Sequence, residues 1–278
     1  MKTIDKNVLA GYNAGIERNR LRTDLGLIEF ERTKELLLAN LPKAPAVIYD
    51  IGGGYGEYSW WLSSIGYEVH LFDISEKNIE MSSELSKEYA GYSLAAAEVC
   101  DARNIDRSDK SADAILLMGP LYHIVEKSER VACLKECSRL LKDSGVLFTA
   151  AITPYATLLW AITIFGTKNR LLEDDAFLKM VERELSDGEH IKPDTGRYSG
   201  MGHSHFHSTN ELRAELSCGG FSNTRIHGVV GAAWLASDID EMWKNPSSKD
   251  ALMKTVRMID EREDIIGLST HLLGVSKR

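Results

Sequence analysis

The stretch Asp50-Ile51-Gly52-Gly53-Gly54-Tyr55-Gly56 decides how the rest of the chain is interpreted. It follows a short apolar run, residues 46–51, and precedes residues 58–65, which have helical character and end at Gly66. Its glycines allow a tight turn that approaches a ligand closely, and the next helix offers unpaired N–H groups to an anionic group. This order of strand, glycine turn and helix predicts a ligand site at the end of a strand.

The alternation of strand and helix continues along the chain. Further strands are predicted at residues 68–72, 92–98, 112–118, 146–152, 224–230 and 269–275. This pattern predicts an α/β fold with a doubly wound, seven-stranded and mostly parallel sheet, which binds ligands at the carboxyl ends of its strands. We expect a helical lid at 1–42, a ligand-binding core at 43–152, a helical substrate-side insertion at 153–221, and a closing strand hairpin within 222–278.

The composition limits the partners that we expect. The chain has 278 residues with 33 Lys and Arg against 41 Asp and Glu, a net charge of -8, and no basic run that would neutralise phosphates. Nucleic acid is therefore not an expected partner. The 4 cysteines form neither a dense disulfide framework nor a paired zinc motif. With no hydrophobic leader in the first residues, this composition predicts a cytoplasmic protein.

One uncharged stretch, residues 146–166, is long enough to cross a bilayer. Gly145, Pro154 and Gly166 divide it into a β-like run and a separate apolar segment, so we expect no membrane span. The second segment, residues 155–165, is a candidate face for a homodimer as well as a candidate pocket wall.

The glycine turn alone is compatible with several cofactors. A dinucleotide fingerprint GxGxxG that starts at Gly52 would need a glycine at position 57, where this chain has Glu57. A bulky anion there is a poor neighbour for a pyrophosphate. Glu57 therefore disfavours an NAD(P)-dependent oxidoreductase, which is kept as an alternative because it shares the fold.

The turn resembles the first motif of class I methyltransferases that use S-adenosylmethionine (SAM), in which an acidic residue precedes GxG. The resemblance implies a Rossmann-like methyltransferase fold with SAM as cofactor, in which Asp73 accepts from the ribose hydroxyls, Asp101 accepts from the adenine amino group, and Ala102 offers its N–H to the ring. The cofactor residues that we predict are Asp50, Gly52, Gly53, Gly54, Tyr55, Gly56, Asp73, Ile74, Asp101, Ala102, Met118 and Tyr12.

The segment Met118-Gly119-Pro120-Leu121-Tyr122-His123 follows the fourth strand. It resembles the GPLYH segment of a bacterial subgroup of small-molecule methyltransferases, which implies a position beside the sulfonium. Methyl transfer needs a positioned nucleophile, and a base where the acceptor must lose a proton. We predict Tyr122 and His123 as catalytic residues, with His123 as the base. The alternative is a histidine that bonds a loop carbonyl or holds the cofactor.

Predictions for the substrate side rest on residue type more than on motif. His203, His205 and His207 alternate, so an extended chain would place their rings on one face, as a substrate pocket, a metal site or a structural cluster. No acid or cysteine within the run completes a common ligand set, and we predict no metal. The substrate residues that we predict are His203, His205, His207, Tyr198, Trp160 and Trp234, although core packing also explains the aromatic ones.

The predicted function is transfer of a methyl group from SAM to an oxygen or nitrogen of a small molecule. Arg20 or Arg32 is expected to reach the methionine carboxylate, although a solvated helix face also explains both. Besides the oxidoreductase, a protein that binds SAM without turnover is an alternative. The acceptor has no motif that identifies it.

Overall fold

The computed structural model of the protein describes residues 19–165, 170–194, 198, 201–236 and 238–278. Its strands are β1 (Val47–Ile51), β2 (Glu68–Asp73), β3 (Ala96–Val99), β4 (Ala112–Leu117), β5 (Leu141–Ile152), β6 (Glu189–His190), β7 (Ser204–His205), β8 (Ser222–Gly228) and β9 (His271–Lys277). Its α-helices are α1 (Asp24–Asn40), α2 (Glu57–Ser64), α3 (Glu76–Leu85), α4 (Pro120–His123), α5 (Lys127–Leu140), α6 (Ala156–Trp160), α7 (Asp175–Asp187), α8 (Thr209–Cys218), α9 (Ile239–Lys244) and α10 (Pro246–Ile259). Short 3-10 turns include Arg20–Arg22, Ser86–Tyr89 and Ile266–Leu268.

The main sheet has 7 strands in the order β3-β2-β1-β4-β5-β9-β8. β1 pairs in parallel with β2 on one side and with β4 on the other, so the direction of winding reverses at β1. β9 runs antiparallel to both β5 and β8. The predicted doubly wound and mostly parallel sheet is therefore confirmed, and its reversal point is where such sheets bind ligands.

Helices cover both faces of this sheet because neighbouring strand residues point in opposite directions. Ile48 packs with α1, α2 and α10, whereas Tyr49 packs with α5 and α8 on the other face. Both side chains are almost completely buried. The sheet is therefore the middle of three layers. Its faces are covered, so polar side chains that could bind a ligand are accessible at the ends of its strands.

The closing strands β8 and β9 pair with each other as expected, but no short turn joins them. Residues 229–270 lie between them and contain α9 and α10. Leu252, Met253 and Val256 of α10 are buried in the cluster that covers one face of the sheet. The sequence prediction of a hairpin did not include these helices, although the apolar spacing of α10 is helical.

The connection between β5 and β8, residues 153–221, contains more than helices. β6 and β7 form a small antiparallel sheet within it, and Phe177, Met180 and Tyr198 belong to a separate apolar core. Its last helix, α8, instead packs against α5 in the main core. The predicted helical insertion is therefore of mixed structure, and α8 belongs to a layer that covers the main sheet.

The uncharged stretch 146–166 is divided between different elements. Its first part is the buried strand β5, and α6 is a helix of only 5 residues. Within the ranges that the structure describes, no helix has the length and apolar character needed to cross a membrane.

Candidate active site

The glycine turn lies at the end of β1, between the ends of β2 and β4. Gly52 donates its N–H to the carbonyl oxygen of Phe72 (2.7 Å), which fixes the turn against β2. Gly52 and Gly54 have φ values of +71° and +60°, a region that glycine adopts most readily. A Cβ on Gly52 would lie 2.5 Å from the ring of Pro120, whereas a Cβ on Gly54 would meet nothing within 4 Å. The turn is therefore packed against α4 at Gly52 and open at Gly54, as a cradle for a ligand requires.

A pocket opens beside this turn, with about 1060 Å³ of empty space including its mouth. Its predicted lining residues are Asp50, Gly52, Gly53, Gly54, Tyr55, Asp73, Ile74, Asp101, Ala102, Met118, Tyr122 and His123. Lining residues to which the sequence assigned no role are Leu21, Tyr58, Cys100, Gly119, Pro120 and Ile124.

Among the predicted cofactor residues that the structure describes, Gly56 is absent from this lining. Gly56 caps the start of α2 with a φ of +90°, so it shapes the helix instead of facing the pocket. Tyr12 lies outside the described residues. Of the residues that were missed, Ile124 directly follows the predicted segment 118–123, so the motif's own continuation would have found it. Leu21 reaches the pocket only through the tertiary fold.

Asp50, the acid at the end of β1, is almost completely buried beside the glycine turn. Its Oδ2 accepts a hydrogen bond from Ser59 Oγ (2.6 Å). Its Oδ1 is buried and has no hydrogen-bond partner among the described residues. Burial, opposed by the Ser59 hydrogen bond and reinforced by the charge of Asp73, raises the pKa of Asp50 to about 7. A buried acceptor without a donor suits a ligand that brings a donor, such as an ammonium group.

Asp73, the last residue of β2, faces the glycine turn. Its Oδ2 accepts from the N–H of Gly54 (2.8 Å). Its Oδ1 accepts from the N–H of Ser75 (2.9 Å) and from Nδ2 of Asn78 (3.0 Å). These contacts hold the carboxylate in the pocket wall, where a carboxylate matches two adjacent hydroxyl donors.

Asp101 lies in the loop after β3 and is held by Arg103. The guanidinium of Arg103 donates to both carboxylate oxygens, with Nε 2.9 Å from Oδ1 and Nη2 2.6 Å from Oδ2. Although burial opposes the shift, these hydrogen bonds hold the pKa of Asp101 below its usual value. Arg103 also pairs with Glu129 of α5 (2.9 Å). Asp101 is therefore an ionised and fixed acceptor at the β3 end of the pocket.

The residues predicted as catalytic lie on α4, across the pocket from Asp73. Tyr122 and His123 are in edge-to-face contact, with ring centroids 4.6 Å apart. The hydroxyl of Tyr122 donates to the carbonyl oxygen of Met118 (3.4 Å). Burial lowers the pKa of His123 to about 4, so its imidazole is uncharged near neutral pH.

The turn Arg20–Arg22 covers part of the pocket. Arg20 lines it, but its guanidinium already forms an ion pair with Glu29 of α1 (2.7 Å). Arg22 pairs with Glu57 at the start of α2 (2.6 Å), and the N–H of Asn19 donates to the hydroxyl of Tyr55 (3.1 Å). These contacts fasten the residues before α1 to the glycine turn.

Arg32, the other candidate for the methionine carboxylate, lies elsewhere. It pairs with Asp260 (2.5 Å), which follows α10, and with Glu35 of its own helix (2.6 Å). It is not part of the pocket lining. Helix α1 places Arg32 toward α10, where its side chain is 12% exposed, so neither the expected reach to the methionine carboxylate nor a fully solvated helix face describes its position.

The alternating histidines face glutamates instead of the pocket. The contacts are His203 to Glu189 at 2.6 Å, His205 to Glu211 at 2.9 Å, and His207 to Glu215 at 3.3 Å. None of the histidines belongs to the pocket lining that the described residues form. Their predicted substrate role stays a prediction: β7 pairs with β6 and the following residues pack on α8, so the contacts that the structure describes are structural ones.

The aromatic residues that we predicted for the acceptor pocket also lie outside its lining. Trp160 and Tyr198 are in edge-to-face contact, with centroids 5.9 Å apart, inside the separate core of the insertion. Trp234 donates its indole N–H to the carbonyl oxygen of Leu268 (3.0 Å). For Trp160 and Tyr198, core packing, the alternative given with the prediction, accounts for the position.

His205, His207 and Glu215 bring potential metal-ligand atoms within 4.8 Å of one another, and all of them are buried. The sequence missed Glu215 because the acid comes from α8 and not from the histidine run. Both oxygens of Glu215 accept from the buried guanidinium of Arg130, at 2.6 and 2.9 Å. Because this carboxylate already has a cationic partner, the cluster is a poor fit for a metal ion.

Comparisons with known proteins relate part of this chain to methyltransferases. Residues 48–145 match the family model described as methyltransferase domain. A ubiquinone biosynthesis O-methyltransferase of Caulobacter vibrioides is 31% identical over 41% of this chain and 44% of its own length. A probable tRNA methyltransferase 9B of Mus musculus is 27% identical over 59% of this chain and 31% of its own. The chain thus spans less than half the length of these curated relatives.

Solved structures show the same fold. A SAM-dependent methyltransferase of Methanosarcina mazei has a TM-score of 0.57 at 18% identity, covering 87% of this chain and 96% of its own. A SAM-dependent methyltransferase of Thermotoga maritima, described as a possible histamine N-methyltransferase, has a TM-score of 0.55 at 17% identity and covers 98% of each chain.

The fold and the matched domain point to one class of protein. The sheet has the Rossmann-like fold of solved SAM-dependent methyltransferases, and residues 48–145 match the methyltransferase domain family, which together imply SAM as the cofactor. The pocket fits that cofactor: Gly54 leaves room, Asp50 offers an unpaired buried acceptor for the ammonium, and Asp73 offers a carboxylate for the ribose.

Proposed function

We propose that this protein transfers the methyl group of SAM to an oxygen or nitrogen atom of a small-molecule acceptor. The observation that carries this proposal is the position of His123, which lines the same pocket as the glycine turn and Asp73. Because burial lowers the pKa of His123 to about 4, its uncharged ring is in the form that takes up a proton. The pocket therefore combines a cofactor cradle with a base.

The chain's own groups set the geometry of the transfer. When bound, SAM supplies an electrophilic methyl carbon on a sulfonium. Asp50 would hold the ammonium of its methionine portion and Asp73 its ribose hydroxyls, while His123 on α4 lines the same pocket. An acceptor positioned beside His123 would take the methyl group with its lone pair, and the electron pair of the broken carbon–sulfur bond would remain on sulfur. The acceptor's proton passes to His123 and then to water.

A small acceptor without strong charge is favoured by the electrostatics of the mouth. The cations there, Arg20 and Arg22, are neutralised by Glu29 and Glu57. The whole chain carries a net charge of -8, whereas binding a phosphate backbone requires cations that are free to contact it. These charges support a small molecule over tRNA, although relatives with tRNA methyltransferase names share part of this chain.

The test is transfer of isotopically labelled methyl from SAM to separated pools of a cell extract, one of small molecules and one of bulk tRNA. We expect label in the small-molecule pool with the wild type and little with Asp73→Ala. Asp109→Ala is the control, because Asp109 is exposed and pairs only with Arg139 among the described residues. Label in tRNA alone would overturn the acceptor class. Failure of the folded protein to bind S-adenosylhomocysteine in calorimetry would overturn the whole proposal.

A further inference from the structure

Arg130 has a buried environment that the proposed function does not explain. It is the largest side chain exposed by less than 2% among the described residues. Removing a guanidinium from water is costly unless its donors are all bonded and its charge is paired. The many hydrogen bonds of this buried guanidinium suggest that Arg130 has a specific structural role.

One side of the guanidinium holds the chain directly after the catalytic segment. Nη1 donates to the carbonyl oxygens of Ile124 (3.2 Å) and Val125 (2.5 Å). Ile124 lines the pocket and follows His123 at the end of α4. Arg130 therefore fixes the main chain one and two residues beyond the proposed base.

The other side of the guanidinium is held by Glu215 of α8. Nε lies 2.9 Å from Oε2, Nη2 lies 2.6 Å from Oε1, and Oε2 is also 3.3 Å from Nε2 of His207. Next to His207, Phe206 packs in one apolar cluster with Tyr122 of α4. Arg130 of α5, Glu215 of α8 and residues 206–207 therefore form one connected set of contacts that packs against α4 and the residues that follow it.

We propose that Arg130, held by Glu215, is a positioning residue that fixes α4 and thereby sets the place of His123 in the pocket. The role of His123 rests on the proposed function, but the placement of α4 is a separate claim that can be tested without turnover. A pair that only fastened α5 to α8 would affect global stability and leave the local opening of α4 unchanged.

The chain offers a matched control on the same helix. Arg139 pairs with Glu136 (2.7 Å) and donates to the carbonyl oxygens of Ile105 (3.0 Å) and Arg107 (2.8 Å). Like Arg130, it has a glutamate partner and two carbonyl acceptors, but it also pairs with the exposed Asp109 (2.6 Å) and does not line the pocket.

The experiment compares Arg130→Met/Glu215→Gln with Arg139→Met/Glu136→Gln. Each double variant removes both charges together, which avoids leaving one buried charge without a partner. The readout is hydrogen exchange at the amide of Ile124, which donates to the Pro120 carbonyl (3.0 Å) and reports the opening of α4. Urea unfolding gives the global stability of each variant, and calorimetry with S-adenosylhomocysteine gives its cofactor affinity.

We expect exchange at Ile124 to accelerate about 30-fold in the first variant, the effect of losing two hydrogen bonds of ordinary net strength. The control should leave this amide unchanged, and both variants should bind S-adenosylhomocysteine within about threefold of wild type. Unchanged exchange at Ile124 in a folded variant, or equal acceleration in the control, would overturn the proposal. If the wild type fails to bind S-adenosylhomocysteine, the proposed function is refuted, but the exchange result at Ile124 still tests the positioning role of Arg130.

A second variant covers the case in which the double variant does not fold. Arg130→Lys keeps the charge beside Glu215 but lacks the planar guanidinium, whose Nε and Nη2 bind Glu215 while Nη1 reaches both carbonyls. We expect it to accelerate exchange at Ile124 by about tenfold or more, and Arg139→Lys to have no such effect. In the labelled-methyl assay it should lower turnover without changing the KM for SAM, and unchanged turnover and exchange together would refute the positioning role.

Discussion

Replacing Asp50 with asparagine should stabilise the protein in the absence of cofactor, and the gain should grow with pH. Asp50 is 1% exposed, and its Oδ1 has no hydrogen-bond partner among the residues described. Burial, with the charge of Asp73 in support and the Ser59 hydrogen bond in opposition, raises its pKa from 3.8 to about 7. The folded protein therefore keeps this proton more tightly than the unfolded chain does.

The sign and size of the effect follow from that difference. Because the pKa is raised on folding, the stability due to the protonated carboxyl is complete below about pH 4 and is lost as the pH rises to about 7. The complete loss corresponds to about 4 kcal/mol. Asparagine does not ionise, so Asp50→Asn escapes the loss, while its amide can still accept from Ser59.

Urea unfolding of the cofactor-free proteins at pH 4, 6 and 8 measures this effect. The free energy of unfolding of Asp50→Asn minus that of the wild type should increase by about 4 kcal/mol between pH 4 and pH 8. Asp109→Asn is the control, since the Asp109 side chain is 72% exposed. A difference that stays constant or shrinks with pH would refute the assignment of a buried, unpaired carboxyl. The same variant should bind S-adenosylhomocysteine more weakly, because an ionised Asp50 would attract the ligand's ammonium.

Other predictions concern the base, the ribose contact and the insertion. His123→Asn should lower turnover by about 10²-fold or more while sparing S-adenosylhomocysteine affinity. With SAM at saturating concentration, so that ionisation of Asp50 does not limit binding, wild-type turnover should fall only as the pH approaches 4, where His123 becomes protonated. Asp73→Ala should weaken that affinity by about 100-fold through lost charged hydrogen bonds, as calorimetry against Asp109→Ala would show. Gly91→Ala should reduce the free energy of unfolding by about 1–2 kcal/mol, and Gly188→Ala should reduce it by more. Both have positive φ, but only a Cβ at Gly188 meets a backbone atom, 2.3 Å from the carbonyl oxygen of Phe206; equal costs would refute the clash.

The cofactor half of the site was predictable because its residues are fixed by strand ends. Asp73 is the last residue of β2, and Asp101 lies just after β3. Because the carboxyl ends of parallel strands meet at one edge, the prediction of a mostly parallel sheet was enough to place these acids at the same edge. The local sequence pattern was therefore sufficient to predict that these two acids lie near each other.

The acceptor half was not predictable, because its contacts depend on partners far apart in the chain. Arg130 and Glu215 are 85 positions apart, and the spacing of neither residue indicates the other. The alternation of the histidines predicted that their rings share one face, but it could not predict which element packs against that face. In the structure His205 and His207 contact glutamates of α8. The residues for which we predicted a substrate pocket therefore lie among the contacts that support α4.

The ion pairs of Arg22 bear on how long a product stays bound. Arg22 joins the turn before α1 to Glu57 and also to Glu88 (3.0 Å), and Leu21 beside it lines the pocket. We expect a ligand bound between this turn and the glycine turn to leave when these pairs open. The side chains of Arg22 and Glu88 are 39% and 55% exposed, so salt screens their attraction. The residence time of S-adenosylhomocysteine should therefore shorten as ionic strength rises, which makes product departure the salt-sensitive step of the cycle.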